Sequence, residues 1–349
     1  ALEAAREAVE IYRELARQRP DAFRPNLAGS LNNVANVLSD LVQREEALAA
    51  AREAVEIRRE LARQRPDAFR PDLAMSLSNV ANVLIDLGQR EEALEAACEA
   101  VEIYRELARQ RPDAFRPNLA SSLNNVANVL IDLSLREEAL EAAREAVEIY
   151  RELARQRPDA CRPDLAMSLN NVANVLRVLG QREEALEAAR EAVEIYRELA
   201  RQRPDAFRPN LAISLNSVAN VLSALGQREE ALEAAREAVE IQRELARQRP
   251  DAFRPDLANS LAVLGLRLEE SGAPMVECFA CFAEAIATLK PTFLRYPAGL
   301  MPLMLNLVGN YFVAKAQAAS IEPDMALLNP ILEVMQRLHP STEHQGEPT

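Results

Sequence analysis

The stretch Asn26-Leu-Ala-Gly-Ser-Leu-Asn-Asn-Val-Ala-Asn-Val-Leu-Ser-Asp-Leu41, followed by Gln43-Arg-Glu-Glu-Ala-Leu48, decides the fold because it recurs. The same text returns 46 residues later at Asp72, then at Asn118, Asp164, Asn210 and, altered, at Asp256. Self-similarity at so short a period marks a repeat architecture, in which each unit leans on its neighbours to bury its apolar side. A length of 349 residues would otherwise suggest two or three separate globular domains.

Within the stretch, Leu27, Leu31, Val34, Ala35, Leu38 and Leu41 recur every three or four residues, the apolar stripe of a helix. Gly88, Gly180 and Gly226 follow three of the copies, the residue type expected just past a helix end. Val42 and Ser134 hold that place in the first and third copies. Arg44–Gln64 reads as a second helix, about 30 Å long at 1.5 Å per residue. Its Ala47, Ala50, Ala51 and Ala54 are small enough to let a partner helix approach closely. Between hairpins, Arg19-Pro-Asp-Ala-Phe-Arg-Pro25 carries two prolines, so the first helix starts at Asp21 or near Pro25. Phe23, Phe69, Phe115, Phe207 and Phe253 are expected to plug the space between neighbouring hairpins.

Ala1–Gln18 matches Ala47–Gln64 and reads as the second helix of a truncated unit, with Leu2, Ala5, Val9, Tyr12 and Leu15 as its stripe. The expected organisation is this orphan helix (1–18), six hairpins (19–290, the last degenerate), capping helices (291–339) and a disordered tail (340–349). Met275–Leu289 reads as the worn second helix of the sixth hairpin, and beyond it, in the cap, helices are expected near Leu300–Ala318 and at Asp324–Leu338. Phe279, Phe282, Phe293, Tyr296, Tyr311 and Phe312 gather there, and His339 and His344 lie at or in the tail. A chain that opens in mid-repeat reads as a fragment, whose partners then include other domains of a longer protein.

Composition excludes several function classes. A net charge of −13 argues against nucleic-acid phosphates. The only lysines are Lys290 and Lys315, and the arginines are expected to pair with glutamates one helical turn away, as Arg6 with Glu10 and Arg52 with Glu56. No apolar run suits a membrane span, since Leu300–Phe312 is broken by Pro302, Asn306 and Gly309. Cys98 and Cys161 stand where other copies have Arg and Phe, which suits a reducing, cytoplasmic compartment. Cys278-Phe-Ala-Cys281 has no second pair and no nearby His, so it reads as packing. The repeats hold no His, no Gly-rich phosphate loop and no HExxH, and Glu45 and Glu46 sit at a helix start, where the dipole favours acids. The sequence therefore predicts neither an enzyme nor a cofactor.

Leu31-x-x-Val34-Ala35-x-x-Leu38, then Ala47 and Ala54, resembles the tetratricopeptide repeat. The fuller string Pro71-Asp-Leu-Ala-x-x-Leu-x-Asn-Val-Ala81 is similar to the longer repeats of kinesin light chains. The unit departs from the family's usual length of about 34 residues, carries Leu for the family's Trp, and delays the closing Pro. The resemblance implies an all-α fold, an α-solenoid of antiparallel helix hairpins wound as a right-handed superhelix. It also implies that first helices line a concave groove, and that the Asn at the column of Asn32, Asn124, Asn170 and Asn216 holds the backbone of a peptide.

Helical spacing alone pairs Asn32 with Asn36, Asn124 with Asn128, Asn170 with Asn174 and Asn216 with Asn220, with Asn82 beside Ser78. An amide offers one donor and one acceptor, matching a peptide group. These amides either hold a ligand or bond their own neighbours along the array. Beside them the copies differ. One column reads Gly29, Met75, Ser121, Met167, Ile213, Asn259; a second reads Ser39, Ile85, Ile131, Arg177, Ser223, Glu269. A third begins Asp40, Asp86, Asp132 and continues Val178, Ala224, Glu270. Met75, Ile85, Ile131, Met167 and Ile213 are candidate apolar seats. Asp40, Asp86 and Asp132 favour a basic ligand, and Arg177, in the second column, is a further candidate for specificity. The function expected is a scaffold holding a peptide or protein as the docking arm of a larger chain. The alternative is a structural spacer that self-associates through its N-terminal helix.

Overall fold

The structure, a computed structural model, describes residues 2–40, 43–317 and 322–338. Leu41, Val42, the side chain of Asp40, both histidines and the tail lie outside the described residues. The chain divides into two compact units, Ala1–Gln181 and Arg182–Thr349, each described by itself.

The first unit holds α1 (Leu2–Gln18), α2 (Pro20–Asp40), α3 (Arg44–Gln64), α4 (Pro66–Asp86), α5 (Arg90–Gln110), α6 (Pro112–Asp132), α7 (Arg136–Gln156) and α8 (Pro158–Val178). The second holds α9 (Arg182–Gln202), α10 (Pro204–Ala224), α11 (Arg228–Gln248), α12 (Pro250–Ser271), α13 (Met275–Arg295), α14 (Pro297–Gln317) and α15 (Met325–Leu338). Within each unit successive helices pack on one another as antiparallel hairpins, and the described residues contain no strand. Each unit is thus a stretch of α-solenoid.

The first helices start earlier than Asp21. A single residue, Arg65 with φ −138° and ψ 78°, separates α3 from α4, and Pro66 is the first helical residue. Proline suits that place because the amide it lacks would have no partner there. Pro25 lies inside α2, where it deprives only the carbonyl of Asp21 of a helical donor, and Asp21 is exposed. The Phe column sits at these junctions: the guanidinium of Arg19 lies 5.0 Å from the Phe23 ring, and Tyr12 packs against Phe23 at 6.5 Å between centroids.

In the turns that join α4 to α5, α6 to α7, α10 to α11 and α12 to α13 a left-handed residue closes the first helix. Gly88 has φ 74°, its N–H bonds to the Ile85 carbonyl at 2.9 Å, and the next N–H, of Gln89, reaches back to Leu84 at 2.9 Å. Ser134 makes the same bonds at φ 63°, a conformation that a Cβ disfavours. Ser134→Gly is expected to stabilise the first unit by roughly 0.5–1 kcal/mol, read as a higher urea midpoint.

Apolar burial follows the sequence pattern. Leu27, Leu31, Val34, Ala35 and Leu38 are buried, and Ala47, Ala51 and Ala54 are fully so. Small residues on α3 let α2 approach within about 8–10 Å. On α1 the stripe is only partly covered: Ile11 is 52% exposed, whereas its equivalent Ile57 on α3 is 8% exposed.

The arginine pairing differs from the sequence expectation. Arg6 binds Glu46 at 2.6 Å rather than Glu10, and Arg52 binds Glu92 at 2.5 Å rather than Glu56. Arg13–Glu53, Arg59–Glu99 and Arg105–Glu145 repeat the link in the first unit, and Arg190–Glu230 and Arg197–Glu237 do so in the second. Each pair joins one second helix to the next. Successive first helices touch, α2 with α4, α4 with α6 and α6 with α8, but no such approach joins α3 to α5 or α5 to α7 among the described residues. Long side chains span the wider gap. At 40–60% exposure most of these pairs contribute little singly, about 0–1 kcal/mol each.

At the end of the second unit the pattern is reworked. α14 opens with Pro297 and carries Pro302 five residues on, as α2 carries Pro20 and Pro25, so it is a worn first helix. α15 packs on α13 and α14, held by Lys290 Nζ donating to the carbonyls of Ala326 and Leu327, and by the Asp324 N–H donating to Tyr311 Oη at 2.9 Å. Phe282, Phe293 and Tyr311 are fully buried, while Leu305, Phe312 and Val313 remain exposed.

Candidate functional site

The first-helix side of each unit is its more closely packed side, and it carries the amides. On α4 the residues Asp72, Met75, Asn79, Asn82 and Asp86 follow one another at three or four positions and form one solvent-facing stripe. The same stripe is Asn118, Ser121, Asn125, Asn128 and Asp132 on α6, and Asp164, Met167, Asn171, Asn174 and Val178 on α8. Asn36, Asn82, Asn128 and Asn174 are exposed on it.

The other member of each expected pair sits elsewhere. Asn32, Asn124 and Asn216 are 4%, 2% and 6% exposed. Asn32 Nδ2 donates to Ser76 Oγ on the next first helix at 2.7 Å, and the Ser76 hydroxyl donates to the Asp72 carbonyl at 3.1 Å. Asn124 donates to Ser168 at 2.6 Å, and Asn216 to Ser260 at 2.8 Å. These amides stitch hairpin to hairpin and are shielded from any ligand on the face. Asn170 is half-buried, with its Oδ1 enclosed. Asn33, Asn79, Asn125 and Asn171, which pairing by four left out, lie on the open stripe instead, exposed or half-exposed. For Asn33, Asn125 and Asn171 the sequence signal was the doubled Asn-Asn; Asn79 follows Ser78 instead. The sequence signal for the stitch was the serine at Ser30, Ser76, Ser122, Ser168, Ser214 and Ser260, a polar residue just before the core leucine in every copy.

The flanking columns divide likewise. Met75, Met167 and Ile213 are 45%, 43% and 48% exposed, unusual for large apolar side chains. Ile85 and Ile131 are half-buried at the stripe's edge. Asp86 and Asp132 are exposed, and Asp132 lies 3.5 Å from Arg90. Arg177 donates to Asn174 Oδ1 at 2.9 Å. In the second unit Arg267 replaces the valine of other copies and donates to Asn220 Oδ1 at 2.9 Å, so that amide oxygen is taken. Burial pushes the Asp164 carboxyl above its ordinary value.

The opposite side offers a different cavity. A cleft of about 450 Å³ opens between α1 and α3, floored by Val9, Leu31 and Val34, but its rim charges, Arg6 with Glu46 and Arg13 with Glu53, already neutralise each other. Among the described residues no cluster of His, Cys, Asp and Glu could hold a metal. Cys278 is buried, and burial pushes the Cys281 thiol up to about 11, far from a reactive thiolate.

Sequence profiles described as tetratricopeptide repeat match residues 27–62, 73–108, 119–154 and 164–244, together more than half of the chain. The chain is a tetratricopeptide-repeat protein. Solved structures share the fold. BtubC (BKLC) of P. vanneervenii is 20% identical, with a TM-score of 0.57 over 70% of this chain and 90% of that one. The kinesin-light-chain TPR-like repeat protein of Podosopora anserina is 21% identical, with a TM-score of 0.51 over 64% and 98%. RapI in its apo form is 16% identical, with a TM-score of 0.54 over 88% and 99%. No curated protein sequence matches significantly. Tetratricopeptide-repeat proteins are generally non-enzymatic scaffolds for protein interaction, and here no helix among the described residues is long and apolar enough to cross a membrane.

Proposed function

We propose that the first unit of this tetratricopeptide-repeat protein holds an extended peptide segment of a protein partner across α2, α4, α6 and α8. The observation that carries the reading is the solvent-facing amide stripe: Asn33 with Asn36, Asn79 with Asn82, Asn125 with Asn128, and Asn171 with Asn174. Amides that meet peptide groups grip without regard to sequence. Each neutral hydrogen bond nets about 0.5–1.5 kcal/mol, and a micromolar complex needs about 8 kcal/mol beyond the association cost. Several amides acting together are therefore required, and side chains beside them supply the selectivity. Fused to further domains, such a face serves as a docking arm.

The test begins with short linear peptides selected from a displayed random library on the wild-type chain. Synthetic copies are then titrated against a variant carrying Asn79→Ala, Asn82→Ala, Asn125→Ala and Asn128→Ala. All four side chains are exposed or half-exposed, so helicity is expected to persist while affinity falls by tenfold or more, about 1.4 kcal/mol. Selected peptides that bind the variant as tightly as the wild type would show that the amides are not the site.

A further inference from the structure

We propose that the occupant of this face is an extended segment whose side chains alternate between apolar and basic, with two apolar anchors about six residues apart. The inference rests on the amide-stripe reading above and adds the chemical class of the partner.

Three levels follow one another along each first helix of the first unit. At one level stand Met75 and Met167, 45% and 43% exposed, in the second and fourth hairpins, while Gly29 and Ser121 occupy the same place in the first and third. The amides form the middle level. Asp86 and Asp132 stand exposed at the far level. Met75 to Asp86 spans about 16 Å of helix axis. A backbone lying over the amides therefore has about 8 Å on either side, the reach of one side chain each way. An extended chain sends successive side chains to opposite sides. One set meets the methionines and the other meets the aspartates.

The register follows from spacing. First helices in contact lie about 8–10 Å apart, which sets Met75 and Met167, two hairpins apart, about 16–20 Å from each other. Extended chain covers that distance in about five or six residues. Only an even number returns a side chain to the same side, so the anchors are six apart. Basic residues at the second, fourth and sixth positions, counting the first anchor as position one, meet Asp86 and Asp132. The contact of Asp132 with Arg90 is half-exposed on both sides and is readily exchanged for a ligand cation. Arg177, where other copies have Ile85 or Ile131, ends the acidic edge at the fourth hairpin. The chain's net charge of −13 adds long-range attraction for a basic partner.

Two fluorescein-labelled peptides of identical composition in a Ser/Thr host provide the test. One carries Leu at its first and seventh positions and Lys at the second, fourth and sixth. In the other the second Leu and the last Lys are exchanged. Titrated against the full chain by anisotropy, the first is expected to bind at least roughly tenfold tighter. The Met75→Ser/Met167→Ser variant is expected to bind both peptides equally. Asp86→Asn/Asp132→Asn is expected to weaken both and to flatten the dependence on salt. Equal binding of the two peptides by the wild type overturns the register. If that equal binding is still abolished by the four Asn→Ala changes, the amide stripe stands and only the register fails. Binding of neither peptide overturns the basic–apolar partner, and library-selected peptides still judge the amide face independently.

Discussion

Phe282→Ala alone is expected to loosen the end of the second unit by about 3 kcal/mol, whereas the same change made together with Gly265→Ala should cost much less. The reason lies in what the other hairpins do at these places. Gly265 stands where Ala35, Ala81, Ala127, Ala173 and Ala219 stand, and Phe282 occupies the position of Ala51 and its equivalents one helix later. Those alanines are fully buried against one another's helices. In α12 and α13 the phenyl ring has moved into the space, and a Cβ built on Gly265 would lie 2.8 Å from it. Gly265→Ala alone therefore overpacks the seam, at about 1–3 kcal/mol, and Phe282→Ala alone leaves a cavity. The double variant restores the alanine pair that five other hairpins already accommodate. Urea unfolding and hydrogen exchange of α12 and α13 would measure the cycle. A double variant as unstable as the sum of the singles would mean that the two sites do not share the space.

The second large effect sits in the first unit. Arg58 occupies a column that is otherwise Tyr12, Tyr104, Tyr150, Tyr196 and Gln242, and its side chain is only 6% exposed. It is ion-paired to Asp72 on α4 and fits beside Gly29, whose absent Cβ would lie 3.8 Å from its guanidinium. Asp72→Ala leaves that cation buried without its counter-charge and is expected to cost about 2–3 kcal/mol, below the fully buried case because Asp72 is half-exposed. Arg58→Tyr is expected to be neutral or stabilising by about 1 kcal/mol. The hydroxyls of Tyr104 and Tyr150 donate to the carbonyls of Pro71 and Pro117, at 3.4 and 3.1 Å, so the introduced one has the Pro25 carbonyl available. Thermal denaturation of the two single variants decides the matter. Equal losses from both would show that Arg58 is held by something other than its charge.

The hairpins were legible in the sequence because burial repeats with the helical period: Leu31, Val34, Ala35 and Leu38 mark one face in every copy. Helix starts were less legible, since Pro20 and Pro25 both suit a first turn and only the one-residue linker through Arg19 places the start at Pro20. The candidate amide stripe was half legible. Asn32 and Asn36 lie only about 40° apart around the helix, yet that angle is the width of the boundary between seam and solvent. Which side each falls on depends on Ser76, 44 residues away on another helix. The charge pairing was not legible from local spacing at all, because the glutamate that meets Arg52 belongs to the next hairpin.

Those cross-helix ion pairs carry a consequence for how the chain can change in length. Arg6 to Glu46, Arg52 to Glu92 and Arg105 to Glu145 are all separated by 40 positions. Excision of one whole period, such as 66–111, brings Arg52 opposite Glu138 with the old spacing intact, while a cut that is not a multiple of 46 residues misaligns the pairs that bridge it. The cross-helix charges thus act as a ruler that favours insertions and losses of whole hairpins.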